Sequence, residues 1–422
     1  MFIKLRISGV KLDKLKALSL RMFLGSIICL LLWSGLRAET WKARELYLAW
    51  ERAAWKFGPI KIQPIIVIKD AGYDSNIYYQ PEAVSDFWLT AGPGVDAYLI
   101  VKRRIIIHVF ESPQYVYFFK TERERTWNNY LNGDVSLSFN QLLLTVGGNL
   151  NNARERWNTE IDIRPRRKEE RGFVSLLYQM SYRISLELTA SSTDYQYESI
   201  EYDSINLGER LSRVENVWSS KFYYRLNSRI QFFLEGAWGE YDFKSPGSLG
   251  DSQSQTFYSG FEFSPTGRIR GRLRLGYKKF DTLAEDLPDF QGLVGDTSIS
   301  WRFIRPLTLK GSYRRDVNFS VWSRNPFYVS NSWSAGCSFY LFRRNLRLDY
   351  TYSQTQNNYP LGEVGDSEPR RDSYTLNSVG IYYRIGKTVG LGVTGGLWNR
   401  QINVLGWDAE RKFIGVNLTY EF

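Results

Sequence analysis

The chain has one histidine, His108, and two cysteines, Cys29 and Cys337, among 422 residues. That supply excludes most zinc sites, any nucleophile–histidine arrangement needing several partners, and a disulfide framework. Past the N-terminal segment no apolar run approaches the ~18 residues of a membrane-spanning helix, so a helical membrane bundle is excluded. Mean hydropathy is −0.36, yet there are 67 aromatic residues (14 Trp, 28 Tyr and 25 Phe). So much to bury excludes intrinsic disorder. A β-rich chain, exported or membrane-embedded, fits what is left.

Residues 1–21 carry Lys4, Arg6, Lys11, Lys14, Lys16 and Arg21 against a single Asp13, and an apolar run over 22–33 leads into Ser34-Gly35-Leu36-Arg37-Ala38. A basic region, a short apolar core and a small residue are the layout of a secretory signal peptide. We place the signal at 1–38, with cleavage after Ala38. Cys29 leaves with it, so Cys337 stands alone in the mature chain and no internal disulfide can form. Removing seven basic residues and one acidic residue lowers the net charge from +11 to +5. Most support for a nucleic-acid partner goes with them.

Residues 39–57 differ from everything after them. Trp41, Glu45, Leu48 and Trp55 recur at spacings of three, four and seven, which predicts a short amphipathic helix ending at Gly58-Pro59. On the periplasmic side it would be a packing arm, a plug or a partner-docking helix.

From Ile60 onward the period is two. Ile184, Leu186 and Leu188 alternate with Ser185 and Glu187; Leu346, Leu348 and Tyr350 alternate with Arg347 and Asp349. Alternation gives each strand one apolar and one polar face, as in a sandwich or a barrel. The connections separate the two. Short turns near 101–104, 140–141, 182–183, 227–228, 265–267, 305–306, 343–345 and 386–387 alternate with longer polar segments at 75–84, 119–126, 152–170, 195–212, 243–252, 281–292, 316–328, 356–371 and 400–410. Transmembrane β-barrels have this rhythm, with tight periplasmic turns and longer external loops. The expectation is an all-β, antiparallel up-and-down barrel over 58–422 with 18 strands, or 16 if one hairpin is over-read.

The last strand places Ile414, Val416, Leu418, Tyr420 and Phe422 on its apolar row. This resembles the C-terminal signature that outer-membrane insertion machinery reads. Phe139, Tyr178, Tyr224, Trp301, Phe303 and Phe339 lie close to turns, where interfacial girdles form. The implied location is the bacterial outer membrane. The implied partners are outer-membrane lipid, lipopolysaccharide and the barrel assembly machinery.

With the apolar rows facing lipid, the other rows face a lumen. One segment puts Arg268, Arg270, Arg272, Arg274 and Lys278 on its inward row, and Arg302, Lys310, Arg314 and Arg347 join them from neighbouring segments. So many cations on one wall repel each other and need water, carboxylates or an anionic partner. The inward carboxylates identified are fewer: Glu187, Glu235, Glu262, Asp349 and Glu421. Two readings stand: a lumen that favours anions, where Arg grips carboxylate or phosphate with two prongs, or a salt-bridged, rigid wall. Inward aromatics such as Tyr223, Phe233, Tyr258, Tyr340 and Trp398 fill the wall or stack on sugar rings.

Other signals are set aside. The acidic segments with Asp281, Glu285, Asp286 and Asp289, and with Asp194, Glu198, Glu201 and Asp203, lack the spacing of a calcium loop and read as solvated external loops. Gly390, Gly392 and Gly395 match dinucleotide-binding glycine spacing but sit inside an alternating strand with no helix after them. His108, a few residues past a periplasmic turn, reads as structural rather than as a general base, and Cys337 as a small residue on the lipid-facing row. No metal, cofactor or catalytic residue is expected.

Phe57-Gly58-Pro59 followed by Gly72-Tyr73-Asp74-Ser75-Asn76-Ile77-Tyr78 resembles the first strand of a family of outer-membrane β-barrel porins, many encoded beside exopolysaccharide or capsule export machinery. The hairpin at 261–268 is similar to that family's repeats. The resemblance implies a porin-like barrel over most of 58–422, open to polysaccharide export components as partners, and carries over no catalytic residue. The sequence thus leads to a channel for polar, anionic solutes, with polysaccharide as a candidate cargo. Its rivals are a closed structural or docking barrel and, more distantly, a barrel enzyme acting on lipid or glycan.

Overall fold

The computed structural model describes residues 40–421 apart from 53–54, 103, 246–247, 249, 264–266, 323–324, 343–344, 362–368, 387 and 404–405. The signal segment 1–38 and Phe422 therefore lie outside the described residues. Eighteen antiparallel strands form one closed barrel. In chain order they are β1 (Ile60–Asp74), β2 (Asp86–Val101), β3 (Ile105–Glu111, then Gln114–Phe118 after a break), β4 (Thr126–Phe139), β5 (Leu142–Arg154) and β6 (Arg166–Gln179). There follow β7 (Ile184–Tyr197), β8 (Arg213–Arg225), β9 (Ile230–Phe243), β10 (Ser252–Phe263), β11 (Ile269–Thr282) and β12 (Phe290–Ile304). The last are β13 (Leu307–Phe319), β14 (Phe327–Leu341), β15 (Leu346–Asn358), β16 (Arg371–Ile385), β17 (Val389–Ile402) and β18 (Ala409–Glu421). Each pairs with its neighbour in sequence, and β18 returns to β1 from Ile65↔Glu421 to Asp74↔Phe413.

Register fixes the sidedness of every strand, because a one-residue slip would exchange the two faces. The outward rows hold exposed large apolar residues, among them Trp218, Trp238, Phe257, Leu275, Tyr277 and Leu293. Such a surface is untenable in water and suited to lipid. Phe139, Trp301, Phe303 and Phe339 are exposed outward at the short-turn end, and Tyr420 lies outward between Ile66 and Val389. Cys337 faces the same way, level with Leu309 and Tyr350. The segment with the dinucleotide-like glycines is β17, a barrel strand. The short turns use backbone that suits them. Asn140 (φ 48°) joins the paired ends Phe139 and Leu142, and Gly386 (φ 62°) turns β16 into β17. Asn and Gly tolerate this left-handed region best.

The amphipathic segment departs from expectation at its end. Its helix, α1, spans Trp41–Arg52, and Trp55–Phe57 is a short strand paired with Ile60–Ile62. Gly58-Pro59 makes a hairpin there, and those three residues cover the part of β1 that overhangs the end of β18. Ala43 is buried against the inward Leu143 and Leu177, and Lys42 Nζ lies 2.5 Å from Glu187. Among the described residues no helix is long and apolar enough to cross a membrane.

Candidate functional site

The sequence motif Gly72-Tyr73-Asp74-Ser75-Asn76 lies at the seam that closes the barrel. At Gly72 there is no room for a side chain between β1 and β18: a Cβ there would sit 2.0 Å from the Ile414 carbonyl oxygen. Tyr73 faces outward and its ring lies 5.1 Å from that of Phe87. The Asp74 carboxylate takes the Arg411 guanidinium at 2.8 Å and the Asn76 amide at 2.9 Å. Ser75 and Lys412 exchange hydrogen bonds, the Ser75 N–H to the Lys412 carbonyl (2.9 Å) and the Lys412 N–H to Ser75 Oγ (2.7 Å). Fully buried Asn76 donates to the carbonyls of Gln80 and Glu410.

The inward basic wall divides into two sets. Arg272 meets Asp296 at 2.5 Å, Arg274 meets Glu235 at 2.6 Å, and Lys278 meets Asp316 at 2.6 Å. Asp349 takes Arg347 at 3.0 Å and Lys310 at 3.8 Å, and Lys221 reaches Glu262 at 2.8 Å. Asp296 and Asp316 were absent from the carboxylates identified in the sequence, so that expectation undercounts the counter-charge. By contrast Arg270, Arg302 and Arg314 face the lumen, and among the described residues none has an ion-pair partner. Arg268 precedes β11 at the turn, exposed, and its carbonyl accepts the Arg302 N–H at 2.8 Å. The Nε of Arg270 is buried without a hydrogen-bond partner. The stripe is therefore neither uniformly neutralised nor uniformly free. Between α1 and this wall lies a cavity of about 380 Å³ lined by Lys42, Tyr223, Glu235, Arg272 and Arg274.

On another sector, His108 points inward with Nε2 at 2.8 Å from Asp96 and Nδ1 at 3.1 Å from Asp134, and Tyr98 stacks on its ring. With a carboxylate at each ring nitrogen, both nitrogens can donate only as an imidazolium. The groups at its two ring nitrogens are carboxylates, not a hydroxyl or thiol that a His base could activate. Asp96 and Asp134 are two further inward acids that sequence reasoning missed.

The largest departure is at the outer mouth. The 152–170 segment was expected among the solvated external loops. The β5–β6 loop (155–165) instead reaches the wall formed by β15–β17. Asn357 donates to Thr159 Oγ1 at 2.8 Å, the Tyr374 hydroxyl to the Thr159 carbonyl at 3.2 Å, and Arg400 grips Asp162 at 2.5 Å. Ile161 is buried with Leu207, Leu211 and Val321 from two other loops. Glu160, buried beneath them, accepts from Ser320 Oγ (2.7 Å) and the Val321 N–H (3.0 Å). Burial pushes its carboxyl up to about 7, against those donors, Tyr359 and the charge of Arg370. Ile161 and Ile163, apolar residues in a polar segment, were the available signal. In the acidic loops Asp281 pairs with Lys279, Asp194 with Lys244, and Asp289 accepts the Thr282 N–H. Among the described residues no three potential ligands gather.

Barrels of this form are known. OpdK of Pseudomonas aeruginosa, solved with vanillate, matches with a TM-score of 0.51 at 10% identity over 86% of this chain and 99% of its own. OccK2 (OpdF) of the same organism, solved in complex with glucuronate, matches with a TM-score of 0.50 at 10% identity over 86% and 98%. OccAB3 of Acinetobacter baumannii matches with a TM-score of 0.50 at 12% identity over 86% and 99%. At these identities the likeness is one of fold. No curated protein sequence matches the chain. A family profile described as "Putative beta-barrel porin 2" does match, over residues 56–422. The profile spans the whole barrel and the hairpin before it, so this chain belongs to that family of outer-membrane β-barrel porins.

Proposed function

We propose that the barrel is a channel for small polar anions across the outer membrane. The observation that carries this is the set of inward cations, Arg270, Arg302 and Arg314, with no ion pair among the described residues; Asp296, which stands opposite Arg314, is taken by Arg272. A guanidinium facing water in a low-dielectric wall attracts anions and offers them paired donors. Two of the similar barrels were solved with vanillate and with glucuronate, both carboxylates, which is the chemistry this wall suits. The β5–β6 loop, held on the β15–β17 wall, narrows the outer mouth, which favours small anions over a polysaccharide, the finer expectation. Charge reversal tests the reading. Arg302→Glu with Arg314→Glu should move the reversal potential in a KCl gradient from anion-selective toward cation-selective. An unchanged potential in a folded double variant refutes it.

α1 supports a second reading. Its contacts with β5, β6 and β7 hold it against the inward wall, as a plug would be held. Removing residues 40–52 should then raise conductance several-fold; if conductance does not change, this reading fails.

A further inference from the structure

On β12–β15 the inward rows carry short hydroxyl side chains. Ser298, Ser312, Ser334 and Ser353 stand directly opposite one another across these four strands, forming one row. Arg272 continues that row on β11. Directly outward along the strands, Arg314 faces Ser332, and Ser332 shares a 2.9 Å hydrogen bond with Thr355. Ser300 faces Lys310 on the periplasmic side of the row. Exposure along the inward rows concentrates here: Ser298, Lys310, Ser312 and Arg314 are exposed. Other sectors of the lumen wall are filled in part by Phe233, Tyr258 and Trp398 or covered by α1 and the β5–β6 loop, although Arg171 on β6 is exposed inward as well. Small side chains leave this sector open to water.

We infer that the permeation path runs along β12–β15 and that this hydroxyl row selects polyhydroxylated carboxylates of the sugar-acid class. The inference rests on the anion-channel reading and adds the solute's hydroxyl groups to its charge. The carboxylate is held by Arg314, which flanks the row on its outer side; Lys310, on the periplasmic side, shares Asp349 with Arg347. The solute's hydroxyls exchange water hydrogen bonds for serine ones. Ser298 and Ser353 make no side-chain hydrogen bond among the described residues. Ser312 and Ser334 share one at 2.7 Å, leaving one donor and several lone pairs on the pair. A solute with hydroxyls at successive carbons can therefore bond several serines at once as it crosses the row. A chain of the same length without hydroxyls leaves those groups to water and gains nothing from the row.

The test compares gluconate with hexanoate, six-carbon carboxylates with and without hydroxyls, in the mature protein reconstituted in planar bilayers. Permeabilities relative to chloride are taken from bi-ionic reversal potentials at pH 7.5. The variant carries Ser298→Ala, Ser312→Ala, Ser334→Ala and Ser353→Ala. If one hydrogen bond of about 1 kcal/mol is lost along the path, the gluconate-to-hexanoate ratio falls about fivefold. Ser312→Ala alone should lower it about twofold, which keeps the test alive if the fourfold variant does not fold. Ser192→Ala, on the lipid-facing row of β7, should leave it unchanged. An unchanged ratio in the serine variants, with anion selectivity intact, overturns the hydroxyl row and leaves the anion channel standing. A folded wild-type barrel with no KCl current overturns the channel and the row together.

Discussion

Glu160 makes the outer mouth sensitive to acid, and the sign is the less usual one. Its carboxyl has a pKa of about 7 when seated, against 4.5 when solvated, because burial opposes its charge. The seated loop therefore binds a proton more tightly than the unseated one. Below pH ~4.5 the loop is held most firmly; that extra hold is lost as pH rises to about 7, and above this Glu160 adds no further change. Between pH 8 and pH 5 the seating should strengthen by roughly 2.5 kcal/mol, on the order of 50- to 100-fold in the equilibrium. Asp162, also raised by burial, adds in the same direction, while Arg210 and Arg370 remain charged throughout. Hydrogen exchange of the backbone amides in 155–165, corrected for intrinsic rates, reports this directly. Protection should rise on acidification, and Glu160→Gln, which keeps the shape and cannot ionise, should remove most of the difference. Protection that is flat with pH, or that falls in acid, refutes the assignment.

Three further outcomes follow from the wall and the seam. Arg274→Met leaves Glu235 unpaired, and about 2 kcal/mol of stability should be lost in urea unfolding followed by Trp fluorescence. Gly72→Ala forces a Cβ onto the Ile414 carbonyl oxygen, so the fraction migrating as a folded barrel on an unheated SDS gel should drop sharply. His108→Leu leaves Asp96 and Asp134 without their shared donor and should cost about 2 kcal/mol; adding Asp96→Asn and Asp134→Asn should restore most of it.

The barrel was legible because two local signals agree. Side-chain alternation gives sidedness one strand at a time, and each turn or loop lies between neighbours in sequence. Pairing inside the lumen was not legible in the same way. Arg274 and Glu235 are 39 residues apart and Lys278 and Asp316 are 38 apart, two strands away in each case. Finding such partners needs the register of two successive hairpins, which alternation does not supply. Arg302 and Arg314, without an ion pair among the described residues, look the same in sequence as the paired Arg272 and Lys278. The β5–β6 loop was missed for a different reason. Its length and polarity match an external loop, and only Ile161 and Ile163 betray a buried position. The strand at Trp55–Phe57 is hidden in the sequence because Trp55 continues the helical spacing, although Gly58-Pro59 can also turn a hairpin.

An open, anion-preferring lumen is what makes this barrel a channel. The most direct measurement is the current through the mature protein in a planar bilayer under a KCl gradient, with the folded state confirmed on the same sample. Stable conductance steps are expected, with a reversal potential displaced toward the chloride equilibrium potential. Silent but folded barrels, or steps that prefer potassium, would contradict it.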